Sequence, residues 1–157
     1  GMVSAGLLLS VTQIGGIGGR IAWGLISDRW LGAQKTLMLL ACLMALSALV
    51  TALLLPQLPL WAIWITLVVF GASAIGWNGV YLAEVARQAP EGQAGVATGG
   101  TLTFTFLGAV IGAPIFGMLS SLFGTYQAGF LALVVTSSLC AGVLFRLKST
   151  PRLSSAA

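Results

Sequence analysis

Long apolar segments separated by short polar breaks run through the whole chain. They lie at about 2–28, 36–55, 58–86, 93–122 and 125–147. Because about 20 mostly apolar residues cross the hydrocarbon core as an α-helix, each segment is long enough to span a membrane. The pattern predicts an all-α membrane protein, with five transmembrane helices in a bundle over 1–148. A disordered cytoplasmic tail is expected over 149–157.

The composition supports this interpretation and excludes several functions. The 157 residues are 58% hydrophobic and only 6% charged, whereas soluble domains carry about 25% charged residues. The cations are spread over several loops, so no nucleic-acid surface is expected. The chain has no histidine, which removes the commonest metal ligand and general base. We therefore expect no enzyme, cofactor or metal site, and we predict that Cys42 and Cys140 are buried free thiols.

Charge falls at alternate breaks and predicts the orientation in the membrane. The breaks at 56–59 and 120–125 carry no charge. Apart from Arg20, the charged positions lie at the ends of the first, third and last segments or in the breaks after them: Asp28, Arg29, Lys35, Glu84, Arg87, Glu91, Arg146, Lys148 and Arg152. The positive-inside rule makes this side cytoplasmic, so the chain enters from outside and ends inside. A plasma membrane, the inner membrane of a bacterium, is the expected location.

The first charged break also carries a resemblance. Gly24-x-x-x-Asp28-Arg29, with Gly32 and Lys35 after it, resembles the loop signature Gly-x-x-x-Asp-Arg/Lys-x-Gly-Arg/Lys-Arg/Lys of the major facilitator superfamily. This sequence departs from the signature at two places. Trp30-Leu31 stand where the signature has one residue, and Ala33-Gln34 replace one of its two basic positions. The form beginning Gly19-Arg20 resembles the second copy of this loop. The resemblance implies helices eight to twelve of twelve, a truncated six-helix half whose missing N-terminal half is a partner.

This resemblance implies a secondary transporter that works by alternating access on a small solute. Candidate residues for its conformational switch are Gly24, Asp28, Arg29, Lys35, Glu84 and Arg87. In the superfamily the acidic residue meets a helix end of the other half when the cytoplasmic side closes. The alternative is a solvated loop whose cations only fix orientation. Glu84 and Arg87, three residues apart, are either an ordinary helical pair or part of the same cytoplasmic latch.

Arg20 is the principal candidate for the substrate site. It precedes Asp28 by eight residues, so it lies about 12 Å deeper along the helix and near the membrane midplane. A charge there needs a cavity or a partner, and that partner is either an anionic substrate or a carboxylate of the missing half. The spacing of Arg20, Gly24 and Asp28 is similar to that of monocarboxylate and oxalate/formate transporters. A structural arginine that snorkels to the cytoplasm is the alternative.

Other polar residues within the predicted helices are candidates for the same cavity, or for bonds between helices. They are Gln13, Trp77, Asn78, Thr101 and Thr105. The glycines of 15–19 and Gly95, Gly99 and Gly100 are expected to pack helices closely. If transport is coupled to protons, as in a symporter, the carrier would be Glu84 or lie in the missing half. The remaining alternatives are an efflux antiporter for neutral or cationic compounds and a non-transporting membrane assembly module.

Overall fold

Five α-helices form the protein in the computed structural model, which describes residues 2–54 and 57–146. They are α1 (Met2–Ile26), α2 (Ala33–Leu54), α3 (Leu60–Gln88), α4 (Ala94–Phe123) and α5 (Gln127–Arg146). Helices α2 to α5 are long and apolar enough to cross a membrane, and α1 has 25 residues. The predicted all-α membrane fold is confirmed. Helix ends lie within three residues of the predicted ones, and the predicted tail at 149–157 lies outside the described residues.

A π-helical turn, Ser27–Leu31, joins α1 to α2. The Gly32 N–H donates to the carbonyl oxygen of Ser27 over 2.9 Å, which is the i to i+5 bond of a π turn. Such a turn holds more residues than an α-helical turn. It therefore accommodates the residue by which Trp30-Leu31 exceeds the usual loop spacing. Gly32 ends the turn at a φ of 77°, a conformation that glycine adopts without a steric penalty.

Glycines bring α1 and α3 into backbone contact. A Cβ added at Gly15 would lie 2.8 Å from the carbonyl oxygen of Val68, and one at Gly19 would lie 2.8 Å from the Cα of Ala72. On α3, a Cβ at Gly71 would meet the carbonyl oxygen of Thr12. Membrane helices have little hydrophobic drive to associate, so their contacts depend on close packing of this kind. The predicted role of the glycines in 15–19 is confirmed, apart from Gly18, which faces open space.

Helix α2 packs against both α3 and α5. Its buried residues are mostly small or hydroxylated: Ala33, Thr36, Leu40, Ser47, Ala48, Thr51 and Ala52. The hydroxyls donate to carbonyls four residues earlier in the chain, as Thr36 does to Gly32 over 2.9 Å and Thr51 to Ser47 over 2.8 Å. Each polar side chain is thus satisfied within the helix, and small side chains let three helices approach closely.

Helix α4 stands apart from this packing. It has no buried residue and meets α5 near its outer end, where the rings of Phe116 and Phe130 stack edge to face at 5.5 Å. The expectation that Gly95, Gly99 and Gly100 pack closely is wrong for the described chain, because a Cβ at each would meet nothing within 4 Å. Helix α4 also contacts α3, but it leaves much of its surface open to lipid or to further protein.

The two cysteines are free, as expected, but exposed rather than buried. Apolar sequence alone does not separate a core position from a lipid-facing one, since both are apolar in a membrane protein. Cys42 lies on α2 and Cys140 on α5, so each thiol is accessible from outside the five-helix bundle.

Candidate functional site

Arg20 lies on the exposed surface of α1, six residues before this helix ends at Ile26. Among residues 2–54 and 57–146 its guanidinium makes no hydrogen bond or ion pair. Helix α3 passes close to the backbone of Arg20. A Cβ added at Gly79 would lie 3.5 Å from the carbonyl oxygen of Arg20 and 4.0 Å from the Cβ of Arg20. Gly79 thus allows α3 to pass beside Arg20, and the guanidinium remains available to a group outside the described chain.

Gln13 and Asn78 lie on the same side of the α1–α3 pair as Arg20. Gln13 precedes Arg20 by two turns on the same helix and is exposed. The helices α1 and α3 run parallel and face each other through Gly19 and Gly79, among others. Asn78 directly precedes Gly79, which faces α1, and each residue adds about 100° of rotation around the helix axis. Asn78 therefore points to the side of α3 that matches the side of α1 on which Arg20 lies. The three side chains form a polar strip opposite α2, which we call the Arg20 face.

The side chain of Trp77 does not point to the Arg20 face. It lines a cavity of about 410 Å³ between α2, α3 and α5, and its ring packs against Tyr81 at a centroid distance of 5.5 Å. This direction is about 100° around α3 from Asn78, so the structure separates Trp77 from the Arg20 face. Sequence reasoning missed Tyr81. Its spacing with Ser73 and Trp77, four residues each, was a visible signal for a common helical face.

Thr101 and Thr105 also lie apart from Arg20. Their hydroxyls donate within α4, to the carbonyls of Thr98 and Thr101, each over 3.0 Å. Helices α1 and α4 do not pack against each other over any extended stretch. The structure therefore places Gln13, Arg20 and Asn78 on one side of the α1–α3 pair and leaves the two threonines on a separate surface.

The candidate switch residues form a network at the charged end of the bundle. The Arg87 guanidinium donates through Nη2 to Oδ1 of Asp28 over 3.1 Å, and through Nη1 to Oε2 of Glu84 over 3.0 Å. Gln88 donates to the other oxygen of Glu84 over 2.8 Å. Glu84 and Arg87 are therefore both an ordinary i,i+3 pair and part of a link between α3 and the turn after α1.

The remaining switch candidates are not members of this network. Arg29 and Lys35 are exposed and make no ion pair within the part of the chain that the structure describes. Gly24 lies one turn before Asp28, and a Cβ there would meet nothing within 4 Å. A second link at this end was missed by sequence reasoning: Gln34 on α2 donates to the Leu144 carbonyl of α5 over 2.9 Å.

A bundle of apolar helices of spanning length, with a charged network at one end, defines a multi-pass membrane protein. The described residues contain no group of three histidine, cysteine, aspartate or glutamate side chains that would hold a metal ion. The sequence model of one protein family, the Major Facilitator Superfamily, matches residues 3–157. The chain therefore belongs to this family of membrane transporters. Comparison with curated proteins and comparison with solved structures each found no match.

Proposed function

We propose that this protein is a secondary active transporter that works by alternating access, and that its solute is a small organic anion. In this proposal the chain is the C-terminal half of a twelve-helix transporter in a plasma membrane, with its C-terminus cytoplasmic. The solute would bind between the two halves near the midplane. The observation that carries the proposal is the unpaired Arg20 on an exposed face of α1.

The energetics of Arg20 favour an anionic partner. An arginine at the centre of a membrane helix costs about 2.5–3.5 kcal/mol even on insertion scales. Asp28 and Glu84 are bound to Arg87 at the end of the bundle, and Glu91 lies in the loop after α3. The described chain thus offers no carboxylate at the level of Arg20. A carboxylate of the solute, held by the guanidinium fork, would supply the missing charge.

Gln13 and Asn78 would complete the solute site on the Arg20 face. Both are amides with donors and acceptors, and neither makes a side-chain hydrogen bond within residues 2–54 and 57–146. Their place opposite α2 leaves them open to the other half of the transporter. Trp77, Thr101 and Thr105 remain candidates only if a second surface contributes. For proton-coupled transport, the proton would be carried by Glu84 or by a group in the missing half.

The network of Asp28, Arg87 and Glu84 would form the cytoplasmic switch. Arg87 holds Oδ1 of Asp28, and Oδ2 of the same carboxylate has no partner in the described residues. An exposed carboxylate oxygen is suited to the positive N-terminal end of a helix from the other half. Gly24, Arg29 and Lys35 would shape this end of the bundle without joining the network.

The substitution Arg20→Lys tests the anionic-solute proposal in the intact transporter. Lysine keeps the charge but loses the bidentate fork, and a charge-assisted hydrogen bond is worth about 1.5–3 kcal/mol. We expect a loss of roughly tenfold or more in anion affinity and no change for neutral compounds. Arg29→Lys, in the exposed turn, is the matched control and should bind normally. If Arg20→Lys binds every tested anion as tightly as the unsubstituted protein does, and Arg20→Ala lowers the stability, then Arg20 is structural and the solute proposal fails.

A further inference from the structure

The charged end of the bundle has two sides that differ in charge. On the side of α1 and α3, Arg87 binds both Asp28 and Glu84. On the side of α2 and α5, each helix carries a single charged residue, Lys35 in the first turn of α2 and Arg146 at the end of α5. Neither of these two helices contains an acidic residue. The α2–α5 side is therefore cationic without compensation from its own helices.

A hydrogen bond joins the two helix ends that carry these cations. Gln34, directly before Lys35, donates from Nε2 to the carbonyl oxygen of Leu144, two residues before Arg146, over 2.9 Å. Both cations are exposed. The ion pairs of the described residues both belong to Arg87, so neither cation has a carboxylate partner there. We call Lys35 and Arg146 the α2–α5 cation pair.

Both members of the pair point to the outer side of the bundle. Leu37 and Leu144 line the cavity that contains Trp77, and each of these leucines is two residues from a cation. Because two residues add about 200° of rotation around a helix, Lys35 and Arg146 point away from that cavity.

Each cation also continues a stripe of exposed apolar side chains along its own helix. On α2 the stripe includes Leu39 and Leu46, four and eleven residues after the lysine. On α5 it includes Leu139 and Val143, seven and three residues before the arginine. Residues at these spacings share one face of a helix. The outer surface of α2 and α5 is thus apolar along the span and cationic at its end.

The helix dipoles explain only one of the two cations. A cation is stabilised near the C-terminal end of a helix and destabilised near the N-terminal end. Arg146 therefore suits the end of α5, whereas Lys35 stands in the first turn of α2, where the dipole repels it. A compensating anion for Lys35 has to come from outside the two helices.

A phospholipid with an anionic headgroup matches both properties of this surface. Its acyl chains would cover the apolar stripes, and its phosphate would lie at the level of the helix ends. A zwitterionic lipid brings a cation of its own, so its headgroup compensates the cations less. In the sequence two more cations, Lys148 and Arg152, follow Arg146 within six residues. Clusters of basic residues beside a membrane helix are typical of binding to anionic lipids.

We propose that an anionic phospholipid binds on the outer side of α2 and α5, with its phosphate between Lys35 and Arg146 and its acyl chains along the two stripes. The proposal rests on the membrane-spanning fold and goes beyond the proposed transport. It does not depend on the solute or on Arg20.

Phe145 is the position at which to test this proposal, because it is exposed and directly precedes Arg146. The full gene product, with p-benzoylphenylalanine in place of Phe145, is reconstituted in vesicles of four parts phosphatidylcholine to one part phosphatidylglycerol. After irradiation, mass spectrometry identifies the cross-linked lipids. One cation near an anionic lipid surface is worth roughly fivefold in affinity. We therefore expect phosphatidylglycerol among the cross-linked lipids at about fivefold its share of the vesicle.

Substitutions of the cation pair separate its effect from that of the general charge. Lys35→Gln together with Arg146→Gln should return phosphatidylglycerol to its share of the vesicle. Lys35→Arg together with Arg146→Lys keeps both charges and should retain the enrichment, which controls for damage to the fold. Arg29→Gln removes the same charge from the turn after α1 and is the matched control; it should also retain the enrichment. With the crosslinker in place of Trp61, exposed at the uncharged end, we expect no enrichment.

Four results overturn the proposal. The first is cross-linking of the two lipids at position 145 in proportion to their shares. The second is an enrichment that survives neutralisation of both cations, and the third is one that Arg29→Gln abolishes, which would indicate diffuse attraction. The fourth is a cross-link to a peptide, which would show that protein covers this face. Transport is not measured, so none of these results affects the solute proposal.

Discussion

The glycine contact between α1 and α3 leads to a prediction with a built-in control. A Cβ at Gly19 would lie 2.8 Å from both the Cα and the carbonyl oxygen of Ala72, and these backbone atoms cannot rotate away. Ordinary contact begins at 3.4 Å, so Gly19→Ala has to push the helices apart by several tenths of an ångström. Overpacking of this kind costs about 1–3 kcal/mol. We expect Gly19→Ala to lower the free energy of unfolding by that amount.

Gly18→Ala, one residue earlier, is the matched control. A Cβ at Gly18 would meet no atom within 4 Å, so only the intrinsic helix preference changes. Alanine is better than glycine by about 0.8–1.0 kcal/mol in a water-exposed helix, and we expect Gly18→Ala to be neutral or stabilising. Both variants change one methyl group on the same helix, which removes composition and hydrophobicity as explanations for a difference.

The assay is reversible unfolding in mixed micelles, followed by tryptophan fluorescence as the fraction of denaturing detergent rises. Trp23 packs against Gly76 in the same interface, where a Cβ at Gly76 would lie 2.8 Å from the ring, so its emission should report separation of α1 from α3. If Gly18→Ala and Gly19→Ala change stability equally, or if Gly19→Ala stabilises, the close approach of the two backbones is refuted.

Two further predictions concern the charged end of the bundle. In a double-mutant cycle, Asp28→Asn and Arg87→Gln should couple by no more than about 1 kcal/mol, because the side chains are 60% and 48% exposed and exposed ion pairs are weak. Added salt should reduce the coupling, and a value above about 2 kcal/mol would contradict this. In intact cells, an impermeant thiol reagent should label a cysteine at position 57 but reach one at position 91 only after permeabilisation; the opposite pattern refutes the orientation.

Much of the fold was predictable from the sequence, because membrane-spanning helices are apolar over a fixed length and polar breaks separate them. The five segments and the role of Gly15 and Gly19 followed from this. The π turn after α1 did not, although Trp30-Leu31 already marked an additional residue. Hydropathy locates a helix but does not describe how the helix ends.

The site was less predictable, since the rotation of each helix decides what a polar side chain faces. Arg20 and Gln13 share a face by their spacing, and Asn78 joins them only because α3 contacts α1 through glycines. Trp77, next to Asn78 in sequence, points to another side of the same helix. The exposure of Cys42 and Cys140 was missed for a related reason: a membrane protein is apolar both inside and toward lipid.

The contacts of α1 and α3 also restrict how a switch at Asp28 would work. Asp28 follows α1, and Glu84 and Arg87 belong to α3, so the network joins two helices that already touch through their backbones. Helices in such contact move together, and their relative position changes little when the two halves of a transporter rock. In such a transporter the bond between Asp28 and Arg87 would therefore not be the contact that opens and closes. In the proposed twelve-helix transporter its role would be to orient the carboxylate, since Arg87 holds Oδ1 of Asp28 and leaves Oδ2 without a partner in the described residues.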